Sequence, residues 1–499
     1  NGGDAKTILQ VLVQSDSPDV RSSAAVALAK MNAVEFKSES NEGAIVLHSV
    51  MQLLKKGATK EEHAKGVEAV SFVITDTDVK MSLCTGTQGM GVMRELVNMV
   101  INDKETAKSA YAYGLAYCFE NLTMSEDDKK REKLREMEVT QEQWEQFEKL
   151  TKSGTGQKGR PDPPELVEQR IKAFVQADGA AALRALVLNG GSSRVLESVS
   201  RTYCNMASIQ SVRPQMFSQG AARALIHMAT KGASSTSMED NSTGKTEDDT
   251  MSSRRNREQQ TKADEKTKKF AAHALAKMFI TTDPNVIGHN QIMDSIAPMV
   301  RQVRHSQEDL VLFECCMALT NLATVNHETK RKIITCKGIT AFEYASYSDD
   351  TLVRRAAVES MCNLCPEPEM VEWFKSRQHM RLWLLYSGAY EDDELTSSAA
   401  TGALAGVCYD PEVAKCIQDQ EEGTGIPTLV VLLMSGISPI IHRVAVCFLG
   451  LLEGLGADAK QILKENGIEK GIDSVLNSAK PIDPPAKSAV ETLQKELAS

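Results

Sequence analysis

The chain has 499 residues, a net charge of −10, 42% hydrophobic residues and only 5% aromatics. The acidic balance argues against a general nucleic-acid binder, and no run approaches the ~18 uninterrupted apolar residues of a membrane span. The eleven cysteines, odd in number and set in apolar helical patterns, exclude a short secreted disulfide scaffold.

Ala, Leu, Val, Met, Lys and Glu dominate, a mix that favours helix over strand. The opening Asn1-Gly2-Gly3-Asp4 has no initiator Met and enters a helical pattern at once. It lacks the basic-then-apolar order of a signal peptide. The sequence therefore reads as a fragment or processed chain from a reducing, cytoplasmic setting with buried thiols.

One helical pattern recurs in chain order: a polar opening, a pair of small residues, then an apolar stripe. It runs through "SPDVRSSAAVALAKM", "AKSAYAYGLAYCFENLT", "SSRVLESVSRTYCNMA", "EKTKKFAAHALAKMFI", "EDLVLFECCMALTNLA", "DTLVRRAAVESMCNLC" and "DELTSSAATGALAGVC". Equivalent positions fall at Lys30, Phe72, Asn121, Asn205, Lys277, Asn321, Asn363, Gly406 and Leu451. Most intervals lie near 42–45 residues, about the period of armadillo or HEAT units. A second helix precedes each patterned one, and shorter helices ending in Gly338 or Gly467 precede some of those. Both glycines are expected to supply the left-handed residue at a helix end. Three helices per unit indicate armadillo, so the fold class is an all-α armadillo-repeat superhelical solenoid of about ten three-helix repeats.

Two segments break the period. Residues 125–170 form a charged, partly helical connector with a Pro/Gly hinge. Residues 233–263 hold no Ile, Leu, Val, Phe, Trp or Tyr, so they cannot bury enough surface to offset their ordering entropy and are expected to be a disordered insertion. The resulting organisation is 1–124 armadillo repeats, 125–170 connector and 171–499 a second armadillo domain.

Catalytic motifs are weak. "GKT" at Gly244–Thr246 has Glu239 where a phosphate-binding loop needs glycine. Cys362 and Cys365 lie on one helical face at stripe positions, which favours core packing over zinc or redox chemistry. No Ser/His/Asp or paired-carboxylate constellation stands out, and no metal or cofactor is expected. The inner strip carries the candidate site instead. The third helix of an armadillo repeat lines the concave groove, and its open face returns at i−4 and i−7 or i−8. Counting back gives Glu197, Arg201 and Asn205; then Lys269, His273 and Lys277; Glu314, Met317 and Asn321; and Arg355, Glu359 and Asn363. An amide both donates and accepts, so asparagines at fixed intervals suit an extended client. They equally suit bracing of adjacent helices, and both readings stand at this point.

The block "FECCMALTNLATVNHETKRKIITCKGI", followed by "RRAAVESMCNLC", resembles the UCS domain of the myosin-directed chaperones. So do "AAHALAKMFITTDPNV" before it and "TSSAATGALAGV" after it. The match extends from about Phe174 to about Leu476. Residues 1–124 are similar to the end of that family's central armadillo region. The resemblance implies a co-chaperone that grips the myosin motor domain in its groove and assists folding and assembly without hydrolysing ATP. Many members add an N-terminal tetratricopeptide domain that docks heat-shock chaperones; no 34-residue repeat of that kind is present in this sequence. Neither nucleic acid nor membrane is an expected partner, and self-association is compatible with the sequence. The alternative is a general armadillo adaptor of nuclear-import or scaffold type, whose relatives pair the asparagines with tryptophans one turn earlier. Trp144, Trp373 and Trp383 do not occupy such positions.

Overall fold

The computed structural model describes residues 2–31, 41–55, 57–137, 140, 143, 161–230, 251–365, 367–421, 424–478 and 480–499. All its regular elements are helices among those residues. The chain divides into two compact units, residues 1–282 and 283–499.

The first unit holds α1 (Gly2–Leu12), α2 (Pro18–Lys30), α3 (Asn41–Leu53), α4 (Lys60–Val73), α5 (Thr77–Cys84), α6 (Gly86–Asn102), α7 (Ala112–Leu122) and α8 (Glu126–Glu136). After the connector come α9 (Pro164–Gln176), α10 (Gly179–Leu188), α11 (Ser193–Ala207), α12 (Arg213–Ser218), α13 (Ala221–Thr230) and α14 (Met251–Thr281). Local chemistry sets the starts. Thr59 and Glu62 form a reciprocal capping box on α4, and the Asp76 carboxylate accepts two backbone N–H groups at the start of α5. Apolar stripes then stack third helix on third helix: α2 on α4, α4 on α7, α7 on α11 and α11 on α14. The α7–α11 contact carries the stack across the charged connector.

The second unit holds α15 (His289–His305), α16 (Asp309–Ala323), α17 (His327–Thr335), α18 (Gly338–Ser346), α19 (Thr351–Leu364), α20 (Pro368–Phe374), α21 (Arg377–Gly388) and α22 (Glu394–Val407). It continues with α23 (Pro411–Gln418), α24 (Ile426–Leu433), α25 (Ser438–Gly454), α26 (Ala459–Glu465), α27 (Ile468–Leu476) and α28 (Pro484–Ala498). Asn326, Asp350, Asp393 and Asp410 cap α17, α19, α22 and α23 through their side chains. Third helices α16, α19, α22, α25 and α28 pack in sequence over a core that includes Cys316, Leu319, Met361, Leu404 and Phe448, all fully buried. Each unit has the all-α architecture of stacked armadillo repeats.

Two expectations need correction. Of the segment expected to be disordered, residues 233–250 lie outside the described residues, but Met251 to Ala263 are helical, the first turns of α14. A lack of apolar residues does not prevent this. The stretch has no Gly or Pro and is rich in Arg, Gln, Lys and Glu, good helix formers. The packed half of α14 has already met the nucleation cost, so extension adds one hydrogen bond per residue. The second correction concerns Gly338. Lys337 takes the left-handed conformation, φ 70°, and Gly338 does not. Gly338 is needed for space: a Cβ there would lie 2.5 Å from Ile333 Cγ2 and 2.7 Å from the Ile333 carbonyl oxygen. Gly338→Ala should therefore cost about 1–3 kcal/mol by overpacking, read as a lowered urea midpoint at unchanged m-value. Gly467 is left-handed as expected, φ 82°.

The cysteines are all free, and eight of the eleven are buried. Burial pushes the Cys84, Cys118 and Cys316 thiols up to about 12. Cys362 and Cys365 are likewise raised, first by burial, which removes the thiolate that redox or metal chemistry needs. Alkylation of the native protein near pH 8 should label Cys336 and Cys416 first, with Cys362, partly exposed but raised by burial, reacting more slowly. The rest should react only after unfolding, as mass spectrometry of the labelled protein would record.

Candidate binding surface

In the first unit the polar strip runs over α7, α11 and α14. Arg201 of α11 is largely covered and gathers three carboxylates: Glu120 at 2.8 Å, Glu132 at 2.9 Å and Glu197 at 3.2 Å. Its guanidinium also lies 5.0 Å from the Phe270 ring centre, within cation–π range. Burial works against the charge, yet Glu120, Glu132 and Glu197 outweigh it and raise the Arg201 pKa. Asn205 donates from Nδ2 to Thr123 Oγ1 at 3.4 Å, back towards α7. Asn121 is buried and donates to the Tyr117 carbonyl of its own helix at 2.7 Å.

His273 and Lys277 were expected on the open face and are buried instead. His273 Nδ1 turns onto α11, 3.6 Å from Cys204 Sγ. The close packing of α14 on α11 rotates this pair of positions inwards, and a lysine stem tolerates such cover along its methylenes. The open strip therefore does not pass through these two residues.

In the second unit Glu314, Met317, Asn321, Arg355, Glu359 and Asn363 are all partly exposed, on α16 and α19. Asn363 donates from Nδ2 to the Thr320 carbonyl of α16 at 3.3 Å, and Thr320 and Ser360 hydroxyls meet at 2.7 Å. The amide thus braces one third helix against the preceding one. Asn363→Ala should cost about 0.5–1.5 kcal/mol, the net worth of one such bond, in an equilibrium unfolding curve.

Arg355 pairs with Asp393 of α22 at 2.9 Å, so Arg355→Glu would set two carboxylates together and is not a neutral probe of binding. Burial raises the Glu359 pKa, opposed by Arg355 and Arg443. Arg443 of α25 donates to Ser398 Oγ of α22. Its side chain passes 3.4 Å from where a Gly402 Cβ would stand, so glycine leaves room for the arginine to lie across α22. Ser398, Gly402 and Arg443 extend the surface beyond the residues expected from sequence. The signal was available: Ser398 and Arg443 sit eight residues before the equivalent positions Gly406 and Leu451.

The tryptophans lie elsewhere. Trp383 is fully buried and Trp373 stacks on His379 at 3.9 Å, on α21 and α20 and not on a third helix. Trp144 and the "GKT" of 244–246 lie outside the described residues. Among the described residues no group of three His, Cys, Asp or Glu side chains is set to hold a metal ion, and no helix is long and apolar enough to cross a membrane.

Stacked three-helix units with a mixed-charge, amide-bearing strip on the third helices define an armadillo-type scaffold. No family model matches the chain. In sequence it is 25% identical over 323 residues to Protein unc-45 homolog B of Xenopus tropicalis, covering 64% of this chain and 30% of that protein. It is 24% identical over 323 residues to the human homolog, with the same coverage. The chain thus spans about 30% of the length of the curated relatives it matches. Among solved structures, UNC-45 from Drosophila melanogaster aligns over 99% of this chain and 57% of its own, with TM-score 0.71 and 21% identity. The myosin chaperone UNC-45 from C. elegans, in complex with a Hsp90 peptide, aligns over 99% and 47%, with TM-score 0.72 and 18% identity. She4p aligns over 98% and 61%, with TM-score 0.67 and 16% identity. In sequence the chain is thus similar to the unc-45 proteins, and in fold to UNC-45 and She4p.

Proposed function

We propose that this chain is an ATP-independent chaperone that holds a myosin motor domain against the polar strip of its third helices and assists its folding and assembly. The observation that carries the reading is 25% identity over 323 residues to unc-45 homolog B, spread over a chain whose fold aligns along 99% of its length with UNC-45. One such neighbour is described as critical for binding and folding muscle myosin, and others hold Hsp90 and Hsp70 peptides. Heat-shock chaperones are accordingly proposed as further partners, and the setting is proposed to be cytoplasmic. The chemistry on the strip agrees. Asn205, Asn321 and Asn363 present amides, Glu314 and Glu359 carboxylates, and Arg355 and Arg443 guanidinium groups, a set suited to gripping polar protein surface and lacking a nucleophile–base pair. Catalysis forms no part of the proposal.

The test is thermal aggregation of a purified myosin motor domain, followed by light scattering with and without an equimolar amount of this chain. Suppression without added nucleotide supports the reading. Unchanged scattering would overturn it.

A further inference from the structure

Helix α8 is an unusual resident of the first unit. Its sequence, EDDKKREKLRE, contains one apolar residue, Leu134, which is buried. Ser125 and Asp128 cap its start, with Asp128 N–H donating to Ser125 Oγ at 3.0 Å and Ser125 N–H to Asp128 Oδ2 at 3.3 Å. Only residues 123–125 separate it from α7, so it folds back along the face from which the strip begins. Lys129 Nζ donates to the side-chain oxygen of Asn121. Three residues on, Glu132 reaches Arg201 Nε at 2.9 Å. Residues 129 and 132 share one helical face, and that face meets the two groups, an amide and a guanidinium, that the strip offers a ligand. A helix that buries a single leucine and otherwise docks through polar contacts such as these belongs to the low-stability end of a structure.

We propose that the strip of α7 and α11 is a docking surface for a charged helical segment of the client. Such a segment presents a carboxylate to Arg201 and, one turn before it, a hydrogen-bond donor to Asn121. Helix α8 is its resident ligand in cis, displaced when the client binds. This deepens the chaperone reading and rests on it for the client. Arg201 keeps Glu120 and Glu197 when α8 leaves, so release does not strand its charge. The client exchanges one carboxylate for another at a guanidinium that is already positioned.

Two arms separate this inference from the chaperone reading. In the first, a labelled synthetic peptide of residues 125–137 is titrated into the full chain and into a variant with 126–136 replaced by a Gly/Ser linker of equal length. The variant should bind the peptide tighter by roughly tenfold or more, the relief expected when a tethered competitor is removed. Arg201→Gln on the linker background should abolish that gain. Equal affinity for both chains, or binding by neither, overturns the inference whatever myosin does. The second arm uses Glu132→Lys, a point variant that breaks the α8 contact to Arg201 and leaves Arg201 its Glu120 and Glu197 pairs. With a myosin motor domain as ligand its affinity should rise several-fold, and in the unmodified chain hydrogen exchange of α8 should speed up when the motor binds. A motor that binds while α8 protection and the Glu132→Lys affinity stay unchanged overturns the inference and leaves the chaperone reading intact. A motor that binds neither chain, with the peptide arm positive, overturns the chaperone reading and upholds the docking surface.

Discussion

Asp162→Ala should destabilise the first unit by about 3–5 kcal/mol, the usual result of removing one partner from a buried ion cluster. Lys80 and Arg170 are both fully buried. Arg170 grips Asp162 with both terminal nitrogens, at 2.7 and 3.0 Å, and Lys80 Nζ adds a third contact at 2.9 Å. Arg170 Nε also donates to the Leu122 carbonyl at 2.9 Å, and Lys80 Nζ to the Met124 carbonyl at 3.3 Å. The two cations thus satisfy the carbonyl end of α7, where positive charge is favoured. Removing the carboxylate leaves two buried cations facing each other in low dielectric. The melting temperature of the first unit should fall by roughly 10 °C, given the size of the unit. Lys80→Met should cost less, because the Arg170–Asp162 pair remains neutral as a whole.

The same cluster makes a pH prediction. Burial alone would raise the Asp162 pKa, but the hydrogen bonds and charges of Arg170 and Lys80 outweigh it, so the folded-state pKa is lowered. A lowered carboxyl contributes stability that is fully present above its unfolded pKa, about 3.9. That stability is lost as pH falls through the folded value. The stability gap between wild type and Asp162→Ala should accordingly stay constant from neutral pH down to the ordinary carboxylate range, then close below it. Denaturant titrations at stepped pH would check this.

The second large effect separates core from strip within one turn of helix. Leu319 of α16 is fully buried, with Cys315, Cys316 and Leu322 around it equally inaccessible. Leu319→Ala should cost about 2–5 kcal/mol through lost burial and the cavity left behind. Asn321, two residues on, is partly exposed. Asn321→Ala should cost about 0.5–1.5 kcal/mol at most, the worth of a hydrogen bond, and should weaken motor-domain binding. If it destabilises the second unit as Leu319→Ala does, the amide is a brace and not a client contact.

Much of this was legible before any coordinates. The period, the small-residue pairs and the stripes define the repeats because each third helix must bury its stripe on the next one. The stacking of α16, α19, α22 and α25 follows that spacing. The partial exposure of the expected positions on α16 and α19 followed from the same spacing. The expected exposure failed at His273 and Lys277, where the close fit of α14 on α11 overrides helical periodicity. The Lys80–Asp162–Arg170 cluster and the Glu132–Arg201 pair were not legible, since each joins residues far apart in the chain that local pattern cannot relate. Composition misled at Met251 to Ala263, because a helix already anchored by packing extends without apolar residues of its own.

The central claim is most directly tested by titrating the purified chain with an isolated myosin motor domain in the absence of nucleotide. Saturable binding that Asn321→Ala weakens, with the melting temperature little changed, is the predicted result. No binding by the unmodified chain, or equal binding by wild type and by a chain altered at Asn321, Arg443 and Ser398 together, would contradict it.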